Sequence, residues 1–522
     1  MSSKQNGNSN EGGERVTALI TNANAIRAIA AAVEGTIGPK GLDTMLVDQF
    51  GDVVITNDGV TILDLMEVHH PAARLLIKIA RAQQEAVGDG TTTATILAGG
   101  LVNEGVNQVN RGVPVARVIE GLRFGARKAI QALQDRSRPI DEAEGIQLRQ
   151  IALIAGRGHE DLADLVIEAI KLIGPEKLSD PAFKLAETIV AREAAENEVF
   201  RGLILNKQRM NRQMPLEIGG VKVLIIDDAL EPEDFEEEAL ATETGVARYL
   251  ELKEEYKKNL AKIISIGINL VLVDRGVDDF AEEVLTEAGV MVVQRVSFKE
   301  LRKAAELTGA RMIKRTGLKR SEVDLERFLG RADRVFEDER LEQIRIIGGG
   351  GKTVATIVVG AATREIVGER KRMAKDAASA AQAALNGGLV PGGGAIELAL
   401  AYQVAQSRSE VRGMAAYGVD CMVEALKRPF AQIVSNAGFN PLEKLGDVMA
   451  AQAETGKDSL SIDCETGEVE DMLAMGVMDP TLVKLHALKA AMEIAEAILR
   501  IDTIVKKRER TGANQDLKVL DL

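Results

Sequence analysis

At 522 residues, with 46% hydrophobic and 28% charged side chains, the chain has the make-up of a globular protein long enough for roughly three domains. Its net charge of −14 disfavours a nucleic-acid partner, because phosphate binding relies on a net basic surface. It has no Trp and 3% aromatic residues, so the core must be built from Ala, Val, Ile, Leu and Met; the two cysteines, Cys421 and Cys464, lack CxxC spacing and signal neither zinc nor a disulfide framework.

The N-terminal "MSSKQNGNSNEGGE" is polar and Asn/Gly/Ser-rich, and is expected to be disordered. It has no apolar h-region, and no apolar run in the chain reaches the roughly 18 residues a membrane span needs. The expectation is a cytoplasmic protein with reduced thiols, neither secreted nor membrane-embedded. From about Arg15 to Asp135 the pattern is mainly helical, interrupted by "DTMLVDQFGDVVITNDGVTIL", which predicts two short strands turning at Gly51 and a second turn at "NDG". "HPAARLLIKIARAQQEAVGDG" places Leu75, Leu76, Ile79 and Ala82 on one helical face, with Gly88 as the stop. The next helix starts inside "DGTTTATILAGGLVNEGVNQV". In the middle of the chain, the short apolar strands "VKVLIID", "INLVLVD" and "GVMVVQRV" alternate with helical segments, which is the order of an α/β unit. Between them "EPEDFEEEALATETGVARYLELKEEYKKN" is dense in charge and predicts an exposed helical excursion. After Lys375 the chain returns to long Ala-rich helices. A helical first third and last third around an α/β middle predict one discontinuous domain carrying an insertion.

The chemistry centres on "AVGDGTTTATILAGG", Ala86 to Gly100. A helix N-terminus attracts anions, so an acid there would repel a phosphate unless a cation lay between them. Mg2+ is commonly held by one or two carboxylates plus phosphate oxygens; Asp89 would then bind metal while Thr91, Thr92 and Thr93 hold phosphate. A plain Asp N-cap followed by threonines that tolerate a turn fits the same letters. "TIGPKG", Thr36 to Gly41, suits close approach of backbone to a ligand, or an ordinary helix C-cap followed by Pro. "VPGGGAIELALA" puts three glycines at the mouth of a helix, either an anion or ribose seat or a flexible connector.

"GGGGKTVATIVVG", Gly348 to Gly360, imitates a P-loop. It lacks the first glycine, since position 346 is Ile346, and it continues as a β-like run where a P-loop opens a helix. His69, His70, His159 and His486 show no ligand spacing, and no Ser/His/Asp order supports a nucleophilic hydrolase. Aspartate-aided phosphoryl transfer to water remains.

Read together, "GPKGLDTMLVD", "GDVVITNDGVTIL", "HPAA", "VGDGTTTAT", "GGG" opening a helix and "EAILRID" resemble the chaperonins of the thermosome and eukaryotic cytosolic branch, in family order from about Arg15 to Val505. The resemblance implies an α+β multidomain chain. Its mainly helical equatorial ATPase domain would be built from both ends (1–142 and 390–522), with a small intermediate domain (143–198 and 353–389) and an α/β apical domain (199–352) carrying a helical lid over about 231–259. It implies ATP and Mg2+ as cofactors, and a homo-oligomer of two stacked rings of eight subunits that encloses unfolded or partly folded client proteins. The bacterial type with a detachable co-chaperonin lacks such an excursion, so no separate lid protein is expected, and neither nucleic acid nor membrane is a partner.

Residue by residue, the resemblance implies nucleotide contacts at Thr36, Gly38 and Pro39, Mg2+ at Asp89, and phosphate at Gly90, Thr91, Thr92 and Thr93. It implies a carboxylate beside the γ-phosphate at Asp58, a water-orienting carboxylate at Asp376 in "MAKDAASAA", and nucleoside contacts at Gly393 and at Asp479 in "MGVMDP". Thermosome-like chains usually carry a Lys in a "TGKG" loop near the γ-phosphate; this chain reads "AGRG" with Arg157, which keeps the charge but gains a planar fork. That departure is compatible with a divergent bacterial member. The rival readings are a metabolic kinase or small-molecule ATPase using the same Mg-ATP site, and a ring that has lost hydrolysis. Against the first, the sequence has no pocket signature of clustered Arg with His. Against the second stand Asp58, Asp89 and Asp376.

Overall fold

The structure, a computed structural model, describes residues 8–140, 145–233 and 242–503. The chain opens with helix α1 (Asn8–Glu34), the antiparallel pair β1 (Thr44–Val47) and β2 (Val53–Thr56), then α2 (Gly59–Leu65), α3 (Pro71–Val87), α4 (Thr91–Asn110), α5 (Val115–Asp135) and α6 (Gly145–Ala155). The middle runs α7 (Glu160–Ile173), α8 (Pro175–Leu178), β3 (Ile189–Glu193), β4 (Glu198–Leu205), β5 (Glu217–Ile226), α9 (Glu243–Ser265), β6 (Leu270–Val273) and α10 (Asp279–Glu287). It continues through β7 (Met291–Val293), α11 (Phe298–Thr308), α12 (Glu322–Glu326), β8 (Gly330–Asp338), β9 (Gln343–Ile347), β10 (Ala355–Ala361) and α13 (Arg364–Gly387). The last part is β11 (Leu389–Pro391), α14 (Ala395–Gln406), α15 (Ala416–Asn436), α16 (Pro441–Thr455), β12 (Leu460–Ile462), β13 (Val469–Asp471), β14 (Met478–Pro480) and α17 (Thr481–Leu499).

Two compact units result: residues up to Ile151 together with those from Ala383 on, and residues Ala152–Gln382 between them. Both changes of unit fall inside helices, α6 and α13. In the first unit α4 is the central rod, packed by α1, α3, α5, α15 and α17. Its sequence dictates that place: Ala94, Ile96, Leu97, Ala98, Leu101 and Val102 are all buried, and a helix apolar most of the way round is stable only when surrounded. Large side chains of this kind contribute roughly 1.5–3 kcal/mol each on burial.

The second unit is built on a sheet of order β3-β10-β4-β9-β8-β5-β6-β7. β5, β6 and β7 are parallel, with Val223 opposite Leu270 and Leu270 opposite Met291. Their near-continuous apolar sequences follow from cover on both faces, one packed around Val223, Leu270 and Leu301, the other around Leu224, Val271 and Ile263. The glycine run Gly348–Gly351 leads into β10 rather than into a helix, as the missing P-loop glycine requires.

Two expectations change. Asn8 onward is helix rather than disordered chain; once α1 is nucleated, each further residue adds a hydrogen bond at small cost. The charged segment 231–259 is not an exposed excursion throughout its described part. Within α9, Val246 and Leu250 are exposed, but Leu252, Tyr256 and Leu260 are buried in the core of the unit, and the Tyr256 hydroxyl donates to the Leu230 carbonyl at 3.0 Å. The physical reason is that the second half of α9 is the crossover joining parallel β5 to β6, which must cover a sheet face. Residues 234–241 of this segment lie outside the described residues. Among the described residues no helix is long and apolar enough to cross a membrane.

Candidate functional site

Gly88 stops α3 in the left-handed region (φ 71°), its N–H returning to the Gln84 carbonyl. Asp89 occupies the link, and Gly90 (φ 76°) is the N-cap of α4. Asp89 does not cap the helix. Its Oδ1 accepts the Gly90 N–H at 2.6 Å, and the N-terminus of α4 has no side-chain cap. The first N–H groups of Thr91, Thr92 and Thr93 therefore remain available to an anion. Gly90 is obligatory: a Cβ there would lie 2.4 Å from Val483 Cγ1.

The "NDG" turn lies against this run. Asp58 caps α2, its Oδ2 accepting from the Thr61 N–H at 3.0 Å and the Thr61 hydroxyl at 2.5 Å. The next residue, Gly59, sits so close to the threonines that a Cβ would meet Thr92 Oγ1 at 2.6 Å and Thr91 Oγ1 at 3.2 Å. Burial pushes the Asp89 carboxyl up to about 6; Asp479 and Asp58 add to the rise, while the Gly90 N–H and Lys484 oppose it. A half-buried carboxylate penalised in this way, beside threonine hydroxyls, suits a hard divalent cation with oxygen ligands. Among the described residues no cluster of three or more His, Cys, Asp or Glu forms a ready-made metal site.

The other loops meet on α15. After α1, the Thr36 hydroxyl donates to Val33 O at 2.9 Å, and Asn436 on α15 holds the loop by donating to the carbonyls of Glu34 and Ile37, both at 2.9 Å. Gly38 (φ 88°) rests on the same helix, where a Cβ would be 3.1 Å from Ile433 Cγ2. Pro39 follows in this loop, whose Lys40 pairs with Glu465. The triple glycine after β11 leads to α14, again with a glycine N-cap, Gly394, and no side-chain cap; a Cβ there would lie 2.8 Å from Phe430 Cβ, one turn from Ile433. Gly393 O accepts from the Ser461 hydroxyl at 2.8 Å. Asp479, on β14, stands opposite Val390 on β11. Thr36, Gly38, Pro39, Asp58, Asp89, Gly90 to Thr93, Gly393 and Asp479 thus belong to one unit.

Sequence reasoning missed the residues that fix these loops. Gln83, on α3, donates to Asp89 O at 2.9 Å and Val483 O at 3.2 Å. Lys484, in the first turn of α17, lies 2.7 Å from both Glu397 Oε1 and Asp479 Oδ2. The signal for Lys484 was a lysine early in the otherwise apolar "TLVKLHAL"; Gln83, inside a regular helical pattern, gave none.

Arg157 and Asp376 belong to the other unit and are neighbours there. Arg157 follows α6 with φ 58°, the left-handed region, and its guanidinium pairs with Glu369 on α13 at 3.3 Å. Asp376 is two turns further along α13. The preceding Gly156 would place a Cβ 3.5 Å from Ala377, so the "AGRG" turn lies against the Asp376 turn.

Comparison with known proteins adds three findings. The TCP-1/cpn60 chaperonin family matches residues 29–509. A thermosome subunit of Pyrococcus abyssi is 34% identical over 501 residues, covering 92% of this chain and 90% of its own; the thermosome subunit beta of Archaeoglobus fulgidus is 35% identical over 515 residues, covering 95% and 93%. A crystal structure of a group III chaperonin in the open state matches with a TM-score of 0.85 and 45% identity, over 94% of this chain and 99% of that one.

Proposed function

This chain belongs to the TCP-1/cpn60 chaperonin family, and we propose that it is an ATP-driven chaperonin that encloses non-native proteins and promotes their folding. The observation that carries the reading is the uncapped N-terminus of α4 with the Asp58 and Asp89 turns beside it. That arrangement supports a nucleotide whose phosphates take the N–H groups and hydroxyls of Thr91, Thr92 and Thr93 at the positive end of the helix. Asp89 holds Mg2+, and Asp58 stands beside the γ-phosphate. When bound, the Mg2+ neutralises charge developing on the transferred phosphoryl group. Thr36, Gly38, Pro39, Gly393 and Asp479 hold the nucleoside side.

Asp376 orients the attacking water and Arg157 reads the γ-phosphate. Both act from an intermediate domain (143–198 and 353–389) that closes on an equatorial domain (1–142 and 390–522), so that hydrolysis is gated by closure. The apical domain (199–352) swings with it and brings its lid over the chamber. The assembly is two stacked rings of eight identical subunits in the cytoplasm, without a separate lid protein. A metabolic kinase is not favoured: the relatives above are chaperonins.

The test is Mg-dependent ATP turnover and refolding of a denatured client by the purified chain, with electron micrographs taken with and without ATP. Closed double rings with ATP and client refolding are expected. Turnover only in the presence of a small metabolite, without refolding, overturns the reading.

A further inference from the structure

Lys484 ties together three elements on the nucleoside side: its own helix α17, and β14 and α14, to which its ammonium bonds. It sits in the first turn of α17, and its ammonium lies 2.7 Å from Asp479 Oδ2 on β14 and 2.7 Å from Glu397 Oε1 in the first turn of α14. Its side chain is 11% exposed and that of Glu397 4%, against 28% for Asp479. Glu397 Oε2 has no hydrogen-bond partner. The trio is therefore graded: a buried acid, a buried cation, and an acid that reaches the surface of the site. Burial alone would pull the lysine pKa down, but Asp479 and Glu397 outweigh it and hold the ammonium charged well above the usual lysine range.

A buried charge is tolerated only when paired, and removing one member of such a set leaves the others uncompensated. Glu397 is too enclosed to meet a ligand, so what it does is anchor Lys484. Lys484 in turn occupies one oxygen of Asp479, which fixes the rotamer of that carboxylate and leaves its other oxygen as an acceptor. A carboxylate accepts and does not donate. The donors a nucleotide carries at its nucleoside end are the ribose hydroxyls and the amino group of the base; the ribose lies nearer the phosphates, and Asp479 is close enough to Asp89, on the phosphate side, to raise its pKa, which favours the ribose hydroxyls.

We propose that Lys484, anchored by Glu397, is a positioning residue that aims the Asp479 carboxylate at the ribose hydroxyls of the nucleotide, and so sets discrimination between ribo- and deoxyribonucleotides. The proposal rests on the nucleotide site described above. Lys484 touches no substrate; it acts through Asp479. A hydrogen bond to a charged acceptor is worth enough to give about tenfold or more in affinity, and a loosely held carboxylate forfeits much of that because it must be ordered on binding.

The experiment measures Kd for ATP and for 2′-deoxy-ATP on the full-length protein, with KM and kcat alongside, for wild type, Lys484→Met, Lys484→Arg and Asp479→Asn. The expected result is that wild type prefers ATP, that Lys484→Met and Asp479→Asn both lose most of that preference through the Kd and KM of ATP, and that Lys484→Arg restores part of it. A general loss of structure would weaken both nucleotides alike and would not be rescued by Arg. If Lys484→Met does not fold, the double variant Lys484→Met/Glu397→Gln, which removes the cation together with the buried acid that needs it, makes the same measurement. Wild-type discrimination retained in the Lys484 variants while Asp479→Asn loses it overturns the proposal and leaves the site reading intact. Discrimination unchanged in Asp479→Asn as well removes both.

Discussion

The side-chain amide of Gln83 donates to the backbone carbonyl of Asp89 at 2.9 Å, so the acid at the mouth of α4 is held from behind by a buried residue of α3. The same amide group reaches Val483 O at 3.2 Å and ties the loop to α17. Gln83→Met keeps the volume and removes both bonds, leaving two carbonyls short of a donor at a cost of about 1–2 kcal/mol. Urea unfolding should show that loss, and titration with Mg-ATP should show affinity weakened several-fold. Unchanged affinity would mean that Gly88 and Gly90 set the loop without help.

The raised pKa of Asp89 makes a prediction for the nucleotide-free protein. A group lifted from 3.8 to about 6 contributes stability that is fully present below pH 4 and lost as pH rises through 6, because the folded state then disfavours the charged form. Asp89→Asn should therefore match wild type below about pH 4 and exceed it at pH 7 by on the order of 2 kcal/mol. Adding Mg-ATP should reverse the order, since only wild type gains from the cation. Unfolding free energies at pH 4, 5.5 and 7, with and without Mg-ATP, check this.

Much of this site was legible as letters. Gly88 and Gly90 stand where a left-handed turn is needed, a local demand that sequence alone exposes; the collisions with Val483 and Thr92 that also bar a side chain at Gly90 and Gly59 exist only once the elements are packed. Whether Asp89 capped the helix or faced a ligand was not legible, because both uses demand the same residue; the Asp89 carboxylate bond to the Gly90 N–H decides against capping. Gln83, Glu397 and Lys484 were illegible for another reason. They lie on helices far apart in sequence, and their role exists only once α3, α14 and α17 are packed. The reach of the charged excursion was misread because a crossover helix can carry Lys and Glu on one side while Tyr256, Leu260 and Ile263 cover a sheet on the other.

For hydrolysis, Asp376→Ala should bind Mg-ATP nearly as wild type and turn it over about a hundred-fold more slowly, the usual scale for losing one preorganised polar contact in a transition state. Asp89→Ala should instead weaken binding itself. Equilibrium binding and single-turnover rates separate the two; an unchanged rate in Asp376→Ala removes it from the mechanism.

Arg157 holds a left-handed backbone conformation (φ 58°) that glycine would adopt without strain. Arg157→Gly should gain up to about 1 kcal/mol from that relief, less the ion pair with Glu369, while losing the coupling of hydrolysis to closure. Arg157→Lys should keep coupling in part. Protease protection of a captured client under ATP, measured beside thermal unfolding, tests both halves of the statement.

The segment proposed as a lid can be removed only as far as the fold permits. Replacing residues 232–250 with a Gly/Ser linker spares Leu252 and Tyr256, and should leave ATP turnover and ring assembly intact while ending retention of a client. A replacement running on to Asn259 should in addition unfold the α/β unit, because it deletes a buried Leu and Tyr worth roughly 2–5 kcal/mol each. A client still shielded from protease by the shorter variant would show that something else closes the chamber.

The chain passes between its two units inside α6 and α13, not through loops. Loop tips are where proteases nick and where fragments are easily cut free; a continuous hydrogen-bonded helix offers neither. A fragment spanning 152–382 would begin and end on half-helices with their backbone groups newly bare, so dissection of this protein is better done by replacing surface segments within a unit than by cutting between units. For the same reason, label sites at the two ends of α13 belong to different units and can be used without cutting the chain.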